Sequence, residues 1–155
     1  MQFAVTLLLF RPKAPYTQIL SISRGSALND WGLVGGKVEP GEHLIDAIVR
    51  EVQEESDIRF GPKVHGDSPK WKNIARDIAK DLLTPVYTGI AKTRLTTTFL
   101  ATGAHLPKEF PHTREGKVKW LTPHHLIGHG CTYHEYNRKL FEHLRIPMGF
   151  EGNPE

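Results

Sequence analysis

Apolar and polar positions follow two different periods along this chain, and the change of period marks its elements. Phe3 to Phe10 and Thr17 to Ser23 are short runs rich in β-forming residues. The segment from Arg11 to Tyr16 between them carries Pro12 and Pro15 and reads as a hairpin connection. Gly25 to Asp30 reads as a loop, and Trp31 to Val34 is a short apolar run leading into Gly35 and Gly36. From about His43 to Ser56 the period lengthens. Leu44, Ile48 and Val52 recur at every fourth position with Ile45 and Val49 alongside, the apolar stripe of a helix. Gly61 to Pro69 is loop-like, and Trp71, Ile74, Ile78 and Leu82 predict a second amphipathic helix over about Lys70 to Leu83. Pro85 to Lys92 and Leu95 to Thr102 have the composition of strands. A loop from His105 to Gly116 then precedes a short strand, Lys117 to Leu121. Thr122 and Pro123 open a short helix around His124 to Ile127, with proline at the first helical position. A last helix runs from about Thr132 to Leu144 with Thr132 as its N-cap, and Pro147 and the tail end it. With no repeat and no linker, the 155 residues read as one domain over residues 1–150 and a tail over 151–155.

The first helix carries more than an apolar stripe. Glu51, Glu54 and Glu55 stand at i, i+3 and i+4, so their carboxylates converge on one patch, mostly away from the stripe. Converging acids repel one another unless a cation sits among them, which outlines a metal site next to the glycine-bearing loop from Gly36 to Glu42. A bare string of this kind also reads as a solvated, salt-bridged helix face, so the spacing alone does not decide.

Composition narrows the classes. Hydrophobic residues at 39% and charged residues at 24% are ordinary for a globular domain, which argues against disorder and membrane spanning. The Phe3 to Phe10 run is far shorter than the roughly 20 residues a spanning helix needs and lacks the flanks of a signal peptide. Cys131 is the only cysteine, which excludes an internal disulfide, fits a cytoplasmic protein and reads as a buried small residue. The net charge is +3 and the basic residues are scattered. Arg11, Lys13, Arg24 and Lys37 would favour a polyanionic ligand, although such charges also occur on any solvated surface. No basic tract with interleaved aromatics points to nucleic acid.

The run from Gly36 to Ile58 resembles the box of the Nudix hydrolase family. Gly36, Glu42, Arg50, Glu51, Val52, Glu54, Glu55 and Ile58 all fall on its fixed positions. The one departure is Asp57, where the family has a glycine in a left-handed conformation. Asp visits that region at about 1–2 kcal/mol, so the departure bears on stability more than chemistry. Trp31, Gly32 and Leu33 before Gly35, Gly36 and Lys37, and Lys119 to Pro123 near the end, are similar to MutT-like members, with Val34 where many have proline.

The resemblance implies an α/β fold, an α/β/α sandwich with a central mixed β-sheet between the box helix and the C-terminal helix. It implies Mg²⁺ as cofactor, with Mn²⁺ as a substitute ion, held by Glu51, Glu54, Glu55 and the Gly36 carbonyl. Arg50 would orient the carboxylates, Glu54 would help deprotonate the attacking water, and Glu115 would be the reserve base. Arg24 and Lys37 match positions that hold substrate phosphates. Zinc is not expected, because Gly128 and Gly130 disrupt a helix that would pair His125 with His129 and no ligand set completes the site.

The implied reaction is hydrolysis of a nucleoside diphosphate linked to a group X. A nucleoside triphosphate, cleaved to monophosphate and pyrophosphate, comes first, because the residues that accompany ADP-ribose or diadenosine polyphosphate cleavage are missing around Ile74 to Arg76. ADP-ribose, a dinucleoside polyphosphate, a capped RNA 5′ end and an inactive nucleotide-binding module are the alternatives. The helix over Lys70 to Leu83 would be an insertion that covers the pocket, forms a homodimer contact, or simply lies on the surface. No membrane partner is expected.

Overall fold

In the computed structural model, residues 1–24, 29–61 and 69–149 are described, with the backbone alone over 69–72. The expected loop positions 25–28 and 62–68, and the tail from 150, lie outside the described residues. The strands are β1 (Gln2–Leu8), β2 (Ile19–Ser23), β3 (Trp31–Leu33), β4 (Gly35–Lys37), β5 (Leu83–Ala91), β6 (Arg94–Ala101) and β7 (Val118–Leu121). The helices are α1 (Leu44–Ser56), α2 (Pro69–Leu82), α3 (Pro123–Leu126) and α4 (His134–Leu144). The bounds differ from the periodicity reading by a residue or two at most ends, the usual fraying of such limits.

The strands form two sheets. One has four strands in the order β4-β1-β6-β5, with β1 parallel to β6 and the other pairs antiparallel. The other is antiparallel in the order β3-β2-β7. The predicted hairpin between the first two strands survives only at its turn end. There Arg11 N–H donates to Gln18 O at 2.8 Å and Leu20 N–H to Leu9 O at 2.9 Å. Beyond that point β1 and β2 diverge into separate sheets, where β1 pairs with β6 and β4 and β2 pairs with β7 and β3.

Alternation along β1 divides the core. Val5 and Leu7 join Ile48 and Val52 of α1, whereas Leu8 joins Leu140 and Phe141 of α4. The sheet is therefore covered on both faces, as a mixed sheet with a parallel pair requires. On the α4 face the packing includes a buried polar chain. Thr6 and Thr98 share a hydrogen bond of 2.7 Å, Thr98 shares another of 2.7 Å with the Tyr136 hydroxyl, and that hydroxyl donates to Thr96 O at 3.2 Å.

α2 packs on α1 and β5. Arg76 grips Asp46 of α1 through both carboxylate oxygens, with a shortest distance of 2.6 Å. Thr132 does not cap the last helix: Tyr133 holds the N-cap position of α4. The Thr132 N–H and hydroxyl both donate to the Asp30 carboxylate, at 2.7 and 2.5 Å. A charged acceptor reached across the fold outcompetes the local helix end for that hydroxyl.

α1 ends at Asp57 in the left-handed region, φ 58° and ψ 22°, with its N–H on Gln53 O. Asp57→Gly should relieve about 1 kcal/mol and raise Tm by about 2–4 °C in a thermal melt. A lowered Tm would show that the Asp57 side chain contributes more than its backbone strain removes. Burial raises Tyr136 to about 12. The unfolded chain, with tyrosine near 10, ionises first, so this residue's share of stability is intact below about pH 10 and lost between pH 10 and 12. In denaturant titrations the alkaline loss should therefore be smaller in Tyr136→Phe than in the wild type; equal slopes would contradict this.

Candidate active site

The candidate site is built on a strand with almost no side chains. β4 is Gly35–Lys37, an edge strand paired to β1 with Gly36 opposite Val5 and Gly35 opposite Thr6. A Cβ on Gly35 would run into Val5 O and lie 2.8 Å from Thr6 Cα, and one on Gly36 would run into the Glu51 carboxylate. At Gly35 glycine is required because β4 must lie against the backbone of β1, and at Gly36 it leaves the Glu51 carboxylate its place.

Glu55 is buried, and its Oε1 accepts the Gly35 N–H at 2.8 Å. Arg50 organises the other acids. Its Nε and Nη2 donate to the two oxygens of Glu42, each at 2.9 Å, its Nη1 donates to Glu51 Oε1 at 2.8 Å, and Nη2 also reaches Lys37 O at 3.0 Å. Glu54 Oε2 stands 3.7 Å from Arg50 Nη1, with its side chain 56% exposed. One guanidinium thus ties the loop after β4 to the helix, a bidentate geometry that fixes orientation as well as charge.

An open cleft of about 970 Å³ runs along this edge, lined by Glu51, Glu55 and Glu115, by Lys37, and by Gly35 and Gly36. It continues along Phe3, Val38 and Leu44. Glu54 sits on the helix outside that lining. On the other side of the glycine strand, towards α4, lies a smaller cavity lined by Arg24, Arg94, Tyr133, Tyr136 and Asn137. Gly35, Gly36 and Arg94 border both spaces. Among the described residues, none from α2 lines either one.

The acids differ in charge behaviour. Arg50 holds Glu42 below the usual carboxylate range. Burial pushes Glu51 up, against the opposing pull of Arg50. Burial also pushes Glu55 up to about 7, with the Gly35 N–H and the Arg24 charge opposing it and Glu51 and Glu115 reinforcing it. The two acids beside the glycine strand therefore resist ionising together unless further positive charge joins them.

A hard divalent ion such as Mg²⁺ fits this donor set: carboxylate oxygens, a nearby backbone carbonyl and a glycine whose missing side chain leaves the Glu51 carboxylate its place. Among the described residues, no three His, Cys, Asp or Glu side chains stand close enough to enclose an ion by themselves. Mg²⁺ does not require that, since it keeps several waters and takes substrate phosphates as ligands.

Of the residues singled out from sequence, the structure brings Gly36, Lys37, Glu51, Glu55 and Glu115 to one cleft, with Arg50 bonded to Glu51 and Glu54 exposed beside Arg50, outside the lining. Arg24 lies in the adjoining cavity. Arg94, Tyr133, Tyr136 and Asn137 are additions. The i, i+3, i+4 spacing of the last three is the one sign in the sequence that they share a face, and nothing local marks Arg94.

The sequence matches the family model of the NUDIX domain over residues 1–144, so the chain belongs to the Nudix family and is a Nudix hydrolase. No curated protein matches it at a significant level. Among solved structures it is similar to an Ap4A hydrolase of C. elegans, at 20% identity and a TM-score of 0.59 over 94% of this chain and 96% of that one. It is also similar to a MutT protein from Methanosarcina mazei, at 19% identity and a TM-score of 0.57 over 93% of each chain. A MutT Nudix hydrolase from Burkholderia pseudomallei matches at 19% identity and a TM-score of 0.54, over 79% of this chain and 83% of that one. At these identities the likeness is one of fold.

Gly36→Ala tests the glycine strand. The Cβ displaces only the flexible end of Glu51, so Tm should stay within a few degrees while turnover falls by about tenfold or more. Unchanged turnover would separate the Glu51 position from the chemistry.

Proposed function

We propose that this hydrolase cleaves a nucleoside diphosphate linked to a group X with the help of Mg²⁺, and that X is in the first place a further phosphate. On this reading a nucleoside triphosphate and water give a nucleoside monophosphate and pyrophosphate. The observation that carries it is the pairing of two spaces across one glycine strand. A carboxylate-lined cleft of about 970 Å³ has room for metal-bound phosphates and a nucleoside, and the small cavity beside it, about 60 Å³, brings arginine and tyrosine side chains to its edge.

The ion, when bound, would neutralise phosphate oxygens and acidify a water. Glu51, Glu55 and the Gly36 carbonyl would hold it, with Glu54 completing the shell from the rim. Glu54 takes the proton from the attacking water, whose oxygen bonds to one phosphorus of the α–β anhydride as the bridging P–O bond to the other breaks, and monophosphate and pyrophosphate part. Glu115, across the cleft, is the reserve base. Arg50 orients Glu51 and Glu54 without touching substrate, and Lys37 and Arg24 take phosphate charge from the two sides. The residues fit Mg²⁺, and Mn²⁺ would serve in its place.

The cleft runs past the acids along Phe3, Val38 and Leu44, which leaves room for a larger X. ADP-ribose, dinucleoside polyphosphates and capped RNA therefore belong in the same substrate panel. The panel is run with Mg²⁺ and read by release of monophosphate and pyrophosphate. Glu54→Gln should lower turnover by about a thousandfold or more while a nucleotide still binds. Full activity in Glu54→Gln together with its loss in Glu115→Gln would move the base role to Glu115. Release from none of the nucleotides, alongside measurable nucleotide binding, would overturn the reaction and leave a binding module.

A further inference from the structure

Arg24 is held in an unusual way for a surface-derived arginine. Its backbone N–H is fixed to Asp30 O at 2.7 Å, directly after β2. Its Nε is buried and has no hydrogen-bond partner among the described residues. No carboxylate pairs with it among the described residues. Instead, the guanidinium carbon lies 4.2 Å from the centre of the Tyr133 ring. On another side, Gly32 leaves the space the group occupies: a Cβ there would stand 3.3 Å from Arg24 Nε and 3.6 Å from Nη2. Tyr133 is itself anchored. Its neighbour Thr132 is tied to Asp30, and its carbonyl accepts the Asn137 N–H at 3.0 Å. Arg24 and Asp30 are thus tied to the turn that starts α4 around one stacked cation.

Both partners line the cavity beside the glycine strand. We infer that Tyr133 is a positioning residue: its ring fixes the Arg24 guanidinium in the cavity, so that the cation meets an anionic or acceptor-rich group of the nucleotide without spending its donors in a carboxylate ion pair. A stacked arginine keeps its in-plane N–H groups free, since the ring uses only the face of the guanidinium. An ion pair would consume those same donors. The inference rests on the proposed nucleotide substrate for the identity of the group met, and on geometry alone for the hold of Tyr133 on Arg24.

Two measurements on the full chain test it. In side-chain ¹H–¹⁵N spectra the Arg24 Nε–H resonance is assigned by its loss in Arg24→Lys. It should be shifted upfield by the ring in the wild type and in Tyr133→Phe, and should move to the position of solvent-exposed arginines in Tyr133→Leu. An unmoved resonance in Tyr133→Leu overturns the positioning role. By calorimetry, the α,β-methylene analogues of ATP and GTP with Mg²⁺ should bind Tyr133→Phe within about twofold of the wild type and Tyr133→Leu about five- to tenfold more weakly. Adding Tyr133→Leu to Arg24→Ala should bring no further loss. The same loss in the Arg24→Ala background would mean that Tyr133 meets the ligand itself, and would overturn the inference. Failure of the wild-type protein to bind either analogue overturns the proposed substrate, while the resonance still decides whether Tyr133 holds Arg24.

Discussion

β4 can lie between β1 and the carboxylates of α1 only because Gly35 and Gly36 have no side chains. The backbone of this short edge strand does three things at once. It pairs with β1, it gives the Gly35 N–H to Glu55, and it leaves the Glu51 carboxylate its place beside Gly36. Any Cβ at Gly35 would meet backbone on β1, which cannot yield as a side chain can. The candidate cleft and the adjoining cavity are the two sides of this one bare strand, so their spacing follows from the thickness of a polypeptide backbone.

Arg50 supplies the second level of order. A helix that gathers Glu51, Glu54 and Glu55 carries repulsion within itself, and the loop before it adds Glu42. The single guanidinium satisfies both oxygens of Glu42 and one of Glu51 and lies near Glu54, which leaves Glu55 to the Gly35 N–H. The charges are therefore only partly balanced by the protein. The shortfall shows in Glu51 and Glu55, both raised by burial beside a cleft open to solvent, where a cation and a polyanionic substrate could meet.

Among the described residues, the helix that follows the box takes no part in that cleft. Arg76 pins α2 to Asp46, and the described residues of α2 leave both spaces untouched. The helix contributes Ala79 and part of Leu82 to the core on the α1 side, which makes it a structural addition to the outer face of α1 and β5.

Local pattern was enough to find the helices, the longer strands and the run from Gly36 to Ile58, because these depend on interactions between residues close in the chain, whereas β4, whose glycines read as a loop, is a strand only through its pairing with β1. The four-residue repeat of Leu44, Ile48 and Val52 sets which face of α1 is buried, and hence that Glu51, Glu54 and Glu55 share a side. The left-handed end of α1 at Asp57 was likewise legible, since it depends on backbone conformation at one residue. What lay beyond the sequence were choices between partners distant in the chain. The first two strands leave their hairpin for separate sheets, Thr132 gives its hydroxyl to Asp30 and not to its helix, and Glu54 stays outside the cleft lining. Arg94 enters the site from a strand end and Arg24 stacks on Tyr133, which is more than a hundred residues away in the chain. The sequence by itself determined the family and the side of the helix on which its acids gather, because fixed spacing on one helix carries both. Only the tertiary structure decided which cation faces which cavity, since that follows from how distant elements pack.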